Sequence, residues 1–168
     1  MSETNITYRE LEEKDWKQVL EIYKQGIKTG DATFETNTPD WIYWNKNHIE
    51  SCRIIAEVNT KVIGWAAISA VSSRKVYAGV AEVSVYVSTE FSGKKIGSTL
   101  LEKLVNESEK NGIWTLQSSI FRENIPSLKI HKKLRFRKIG YREKVGKMNG
   151  TWRDTVLLER RSSKVGIE

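Results

Sequence analysis

Two stretches of this chain carry residue types that could do chemistry. In the first, "VAEVSVYV" from Val80 to Val87, Ala81, Val83, Val85 and Val87 alternate with Glu82, Ser84 and Tyr86. A period of two predicts a strand with one apolar face, the other bearing a carboxylate, a hydroxyl and a phenol in a row. A solvent-facing strand would explain that pattern on its own. With helices expected on both sides of the sheet, Glu82 is instead expected to be half-buried, where it could take a proton near neutral pH.

The second stretch, "FSGKKIGSTL" from Phe91 to Leu100, follows directly. It lies between the strand and an apolar stripe at helical spacing. It is not a P-loop: three residues rather than four separate Gly93 from Gly97, and Ser98 follows Gly97 with no lysine between them. G-x-G-x-x-G is absent too. Small residues at Gly97 and Ser98 would still let a ligand approach the backbone, and the free N–H groups of a helix start favour an anion. The stretch by itself leaves two readings open: a pyrophosphate cradle helped by Lys94 and Lys95, or an ordinary helix N-terminus with surface lysines.

The elements that must position these residues follow from periodicity. "ITYREL" reads as a strand, and Trp16, Val19, Leu20, Ile22, Tyr23 and Ile27 mark a helix ended by Gly30. A short helix follows Pro39. "CRIIAEV" and "VIGWAAISAV", joined by a tight turn, and "GVAEVSVYVS" make three antiparallel strands. A helix from about Lys95 to Lys110 presents Ile96, Leu100, Leu101, Leu104 and Val105 on one stripe. "IWTLQSSIF" is a strand, and "NIPSLKIHKKL" a short helix with Asn124 as N-cap and Pro126 in its first turn. "RKIGYREKVGKM" and "RDTVLLER" close the chain as a hairpin around Asn149 and Gly150. The order predicts an α+β fold, a mixed and mostly antiparallel sheet of about seven strands with helices on both faces. The unit around the second stretch is expected to be a parallel crossover.

The 168 residues suit one domain, here 1–168, with residues 161–168 expected to be a flexible tail. The 39% apolar content and six tryptophans argue against disorder. No secretory signal or bilayer-length apolar run is seen, and one cysteine, Cys52, forms no internal disulfide, so a cytoplasmic location is expected. One cysteine and two histidines leave no soft-metal site. The net charge of +7 permits a polyanionic small molecule, a membrane surface or nucleic acid. No nucleic-acid-binding motif accompanies it, and neither a nucleic-acid nor a membrane partner is expected.

On these residues the chain resembles the GCN5-related N-acetyltransferase superfamily, whose element order it matches nearly end to end. The pyrophosphate loop of that family, [QR]-x-x-G-x-[GA], falls on Ser92, Gly93, Lys94, Lys95, Ile96 and Gly97. Ser92 replaces the family's Arg or Gln, and Lys95 its first loop glycine. Lysine is a good helix former, so Lys95 is expected to be helical already rather than left-handed. The closer likeness is to phosphinothricin and methionine sulfoximine acetyltransferases. It rests on "EIYKQGIKTGDATFET", "RKVYAGVAEVSVYVS", "NIPSLKIHKKLRF" and "GKMNGTWRDTVLLE".

The resemblance implies acetyl-CoA as donor, a small-molecule amine as acceptor, direct transfer, no metal and a homodimer. It implies Glu82 as general base. N–H groups around Val85, Tyr86 and Val87 would polarise the thioester, and the loop from Ser92 to Ser98 would hold the pyrophosphate. Asn124 would contact the pantetheine arm, and His131 would be either the acid for the leaving thiolate or a CoA contact. On the acceptor side it implies Phe34 and Glu35 as pocket wall, Arg74 as a carboxylate or phosphinate clamp, and Tyr77 and Tyr86 beside it. Trp152 and Asp154 belong to the closing hairpin, in a structural or dimer-contact role. Two alternatives stay open: acetylation of a protein N-terminus or lysine, and a non-catalytic acyl-CoA or nucleic-acid binding module.

Overall fold

A computed structural model describes residues 5–168. The strands are β1 (Thr7–Glu10), β2 (Arg53–Val58), β3 (Lys61–Ala70), β4 (Val80–Val87), β5 (Thr115–Phe121), β6 (Arg137–Met148) and β7 (Thr151–Arg161). They form one sheet in the order β1-β2-β3-β4-β5-β7-β6. Every neighbouring pair is antiparallel except β4 and β5, which are parallel and joined through a helix, as expected. The helices are α1 (Trp16–Thr29), α2 (Trp41–Asn47), α3 (Ile96–Lys110) and α4 (Ile125–Lys133). Among the described residues no helix is long and apolar enough to cross a membrane.

The alternation in the strands gives each face of the sheet its own core. On one face Val19 and Ile22 of α1 and Trp44 of α2 pack on Ile55, Val62, Trp65 and Ala67. On the other, Ile96, Leu100, Leu101 and Leu104 of α3 pack on Ile54, Ala56, Ile63, Ala66, Ile68, Val83 and Leu116. The α3 stripe read from the sequence is buried throughout, whereas of the α1 stripe Val19 and Ile22 are buried and Trp16, Leu20, Tyr23 and Ile27 half-buried. Local chemistry sets their ends. Gly30 closes α1 in the left-handed conformation, at φ 74°. Asp40 caps α2 by accepting from the Tyr43 N–H at 2.8 Å. Buried Arg53 then ties the end of α2 to β2, donating to the Asn45 and His48 carbonyls at 2.8 and 2.6 Å.

The segment expected to be a loose tail is instead hydrogen-bonded to the body. Ser162 donates its N–H to the Trp114 carbonyl at 2.8 Å and its hydroxyl to Glu109 at 2.9 Å. The same hydroxyl accepts from the N–H groups of Lys164 and Val165. Glu109 also pairs with Arg160 at 2.9 Å. A charged carboxylate collects these donors, a long-range contact that sequence composition does not report.

Candidate active site

The parallel pairing of β4 with β5 lasts only from Val80–Glu82 to Thr115–Gln117. Both strands continue, β4 to Val87 and β5 to Phe121, but no longer bond to each other. Alternate N–H and C=O groups of β4 beyond Glu82 therefore face an opened edge without a strand partner. A cavity of about 1330 Å³ occupies this opening, larger than an ordinary single-ligand pocket. It is lined by the β4 segment Glu82–Val87, by β5, by the α1–α2 loop, by the turn before α3, by α4 and by the bulged part of β6.

Glu82 sits at the vertex, at the last paired position, where Gln117 donates to its Oε2 at 3.3 Å. It is exposed rather than half-buried as expected. Tyr86, on the same face, is packed between Trp65 (rings 4.7 Å apart, stacked) and Tyr23 (4.9 Å, edge-on). Burial pushes its phenol pKa well up, with the neighbouring Tyr23 adding to the rise, so it stays a neutral donor. Gly26 of α1 makes room for it: a Cβ there would lie 2.6 Å from the Tyr86 ring.

At the far end of β4, Ser92, Gly93, Lys95, Ile96, Gly97 and Ser98 line the cavity. Lys95 departs from expectation. It is not helical but left-handed, at φ 64°, and caps α3, its carbonyl accepting from the Thr99 N–H at 3.0 Å. The turn geometry overrides lysine's helix propensity, at a cost of about 1 kcal/mol relative to glycine. Lys94 does not line the cavity; its ammonium lies 4.8 Å from the Phe91 ring. A Cβ at Gly97 would meet only Ile130 and Val87 at ordinary 3.5 Å contacts, so the surrounding protein does not itself demand glycine there.

Asn124 and His131 both line the cavity from α4. Asn124 caps the helix through the Ser127 N–H at 3.2 Å, as expected, and also donates to the Asp31 carbonyl of the α1–α2 loop at 3.1 Å. His131 is buried, with Nδ1 2.8 Å from the Ser127 carbonyl. An N–H donated there leaves Nε2 as a bare acceptor, and Nε2 is buried with no partner among the described residues. Burial holds the His131 pKa below the usual histidine value, partly opposed by the Ser127 carbonyl, so the imidazole is neutral.

Phe34 stacks edge-on against Phe121 at 4.6 Å and touches Gly146, where a Cβ would lie 2.6 Å from its ring. Phe34 and Glu35 both line the cavity. Arg74 and Tyr77 do not; the guanidinium lies 5.7 Å from the Tyr77 ring at the exposed β3–β4 connection. Sequence reasoning missed Arg142, Val145 and Gly146. They reach the cavity because β6 bulges against β7 between Arg142 and Gly146, with Lys144 at φ 47°. Asp154 holds the bulge, its Oδ1 accepting from the Lys144 N–H at 2.7 Å while its other oxygen accepts from Tyr141. The signal that could have found the bulge is glycine inside a strand pattern, Gly140 and Gly146, where both register shifts of β6 end. Trp152 is 55% exposed, on the outside of the same hairpin.

Comparison with known proteins places this architecture. Residues 8–157 match the family model for the Acetyltransferase (GNAT) domain. The chain is 32% identical over 163 residues to YwnH of Bacillus subtilis (strain 168), whose name carries phosphinothricin acetyltransferase as a provisional assignment; the alignment covers 94% of this chain and all of that one, 100%. It is 26% identical over 160 residues to the L-methionine sulfoximine/L-methionine sulfone acetyltransferase of Salmonella typhimurium, covering 92% and 93% of the two chains. The crystal structure of a GNAT superfamily phosphinothricin acetyltransferase from Sinorhizobium meliloti, in complex with acetyl-CoA, superposes with a TM-score of 0.88 at 27% identity, covering 97% and 91%. With the family model spanning most of the chain and the fold agreeing throughout, this protein belongs to the GNAT acetyltransferases and is an acetyl-CoA-dependent enzyme.

Proposed function

We propose that the protein transfers acetyl directly from acetyl-CoA to the amine of a small amino acid or analogue, of the phosphinothricin or methionine sulfoximine type, with Glu82 as general base. The observation that carries this reading is the position of Glu82 at the vertex of the parted strands, in the same cavity as the turn before α3. Acetyl-CoA supplies the acetyl group as a thioester. Glu82 takes a proton from the acceptor's ammonium, directly or through a water, and frees its lone pair for attack. N–H groups of Val85–Val87 on the opened edge donate to the thioester oxygen as it gains charge, and collapse of the tetrahedral intermediate breaks the C–S bond and releases CoA as a thiolate, which takes its proton from solvent. The free N–H groups around Gly97 and Ser98 hold the pyrophosphate, and the bare position at Gly97 lets it approach the backbone.

His131 is assigned here as a contact to acetyl-CoA rather than as the acid. A neutral ring that donates Nδ1–H to Ser127 has no proton on Nε2 to give a leaving thiolate, but it can accept a hydrogen bond. The contact of Phe34 with Gly146 supports a small acceptor over a protein tail, because it joins the α1–α2 loop to the hairpin across the cavity. The test is CoA release with Glu82→Gln over a panel of amino acids. A loss of about 100-fold or more in kcat is expected for a missing general base. Undiminished turnover across the pH range would remove Glu82 from that role.

A further inference from the structure

We propose that Arg142 and Thr155 form the subsite that binds an anionic group of the acceptor, a carboxylate or phosphinate. The inference rests on the transferase reading above and adds to it the groups that select the substrate. Arg142 and Thr155 face each other across β6 and β7, and Thr155 in turn faces Phe121 of β5. Directly opposed residues of antiparallel strands share one face of the sheet. All three therefore lie on the face where the Phe121 ring meets Phe34.

Two observations point to a ligand at this place. The first is Thr155: it is 2% exposed, lines the cavity, and its Oγ1 has no hydrogen-bond partner. Buried hydroxyls are almost always paired, and this one lacks its partner inside a substrate cavity. The second is the distribution of charge. Four cationic side chains line the cavity: Lys95, Lys129, Lys133 and Arg142. Lys95 belongs to the turn before α3, and Lys129 and Lys133 to α4. Arg142 is the one contributed by the sheet, and among the described residues it takes part in no ion pair. Of the acidic groups that line the cavity, Asp31 is engaged by Arg153 at 2.8 Å and Glu123 by Arg122 and Arg153 at 3.2 and 3.4 Å, while Glu35 and Glu82 take part in no ion pair among the described residues, Glu82 being the proposed base.

The bulge is what brings Arg142 into the cavity. Asp154 anchors it through Lys144, and Arg122 pairs with Asp154 at 3.2 Å, so the backbone beside Arg142 is held by charge-assisted contacts. A guanidinium offers a planar fork to a carboxylate or phosphinate, and the adjacent hydroxyl adds one donor. The acceptor then spans the cavity, its ammonium toward Glu82 and its anionic group toward Arg142 and Thr155.

The test measures CoA release by the wild type and by Arg142→Ala, Arg142→Lys, Thr155→Val and Arg74→Ala. The probes are L-phosphinothricin, L-methionine sulfoximine and L-methionine sulfone, each beside its carboxamide. For Arg142→Ala the expected loss in kcat/KM is on the order of 10- to 100-fold, confined to the more anionic member of each pair and with KM for acetyl-CoA unmoved. Arg142→Lys should restore part of it, since charge returns without the fork. Thr155→Val should raise KM for the anionic acceptors several-fold while its thermal midpoint stays at or above that of the wild type, because the lost hydroxyl had no partner. Unchanged discrimination in Arg142→Ala, or its collapse in Arg74→Ala instead, overturns the assignment. A wild type that binds acetyl-CoA but releases no CoA with any of these amines overturns the transferase reading beneath it.

Discussion

Single residues decide whether this cavity can bind and react. His131 and Thr155 each carry a buried polar atom with no partner among the described residues, and both line the cavity. In its proposed role as base Glu82 needs no burial, since its place at the last paired position already brings it to the opening. Lys95 carries a local cost instead. Its φ of 64° is a conformation glycine adopts freely and lysine does not. Lys95→Gly is expected to raise stability by about 0.5–1 kcal/mol, because relief of the left-handed strain exceeds the entropy glycine adds to the unfolded chain. Chemical denaturation checks it, as an unchanged slope with a higher midpoint. A lower midpoint would mean that the lysine side chain stabilises the turn by more than its backbone strain costs.

Among the elements, the β6–β7 hairpin does the most to shape the end of the cavity proposed for the acceptor. Its bulge presents Arg142, Val145 and Gly146 to the cavity, and Arg153 of β7 ties the hairpin to the α1–α2 loop. Arg153 donates to the Gly30 carbonyl at 2.7 Å and to Asp31 at 2.8 Å, and its guanidinium lies 4.1 Å from the Phe121 ring. Gly146 is where hairpin and loop touch. A methyl group there would lie 2.6 Å from the Phe34 ring, closer than any real contact, so the ring must move. Phe34 is 40% exposed and can swing outward, so the fold should survive. Gly146→Ala is expected to lower stability by about 1 kcal/mol or less and to raise KM for the acceptor several-fold, with KM for acetyl-CoA unchanged. Equal shifts in both KM values, measured by initial rates, would show that Phe34 does not belong to the acceptor wall.

At the scale of the molecule, the neutral, buried His131 links the site to folding. Its folded pKa is held below that of the unfolded chain, so above the unfolded value of about 6.5 both states are neutral and no stability is lost. As pH falls below about 6.5 the unfolded chain takes up a proton that the folded one resists, and stability declines until the folded pKa is passed. His131→Asn is expected to reduce this decline below about pH 6.5 without abolishing it, since burial also holds His48 below the usual histidine value, and to raise KM for acetyl-CoA through loss of the Nε2 acceptor. Thermal midpoints across that range, set beside initial rates, check both. A parallel pH dependence in the two proteins would show that His131 is not the group responsible.

Alternation in "VAEVSVYV", the stripe Ile96–Leu100–Leu101–Leu104–Val105 and the caps at Asn124 and Gly30 were legible because each depends on neighbours within a few residues. They were enough to set the order of elements, the mixed sheet and the place of Glu82 and of the turn before α3. Tertiary structure alone decided where β4 and β5 part, since that is a matter of two strands some 35 residues apart losing their register. It decided that Lys95 is left-handed, because a turn between a strand and a helix outweighs one residue's propensity. It also left Arg74 outside the cavity and brought Arg142 to it. Which arginine lines a cavity depends on a bulge held by Asp154 from the neighbouring strand, a contact that no local pattern in either strand encodes.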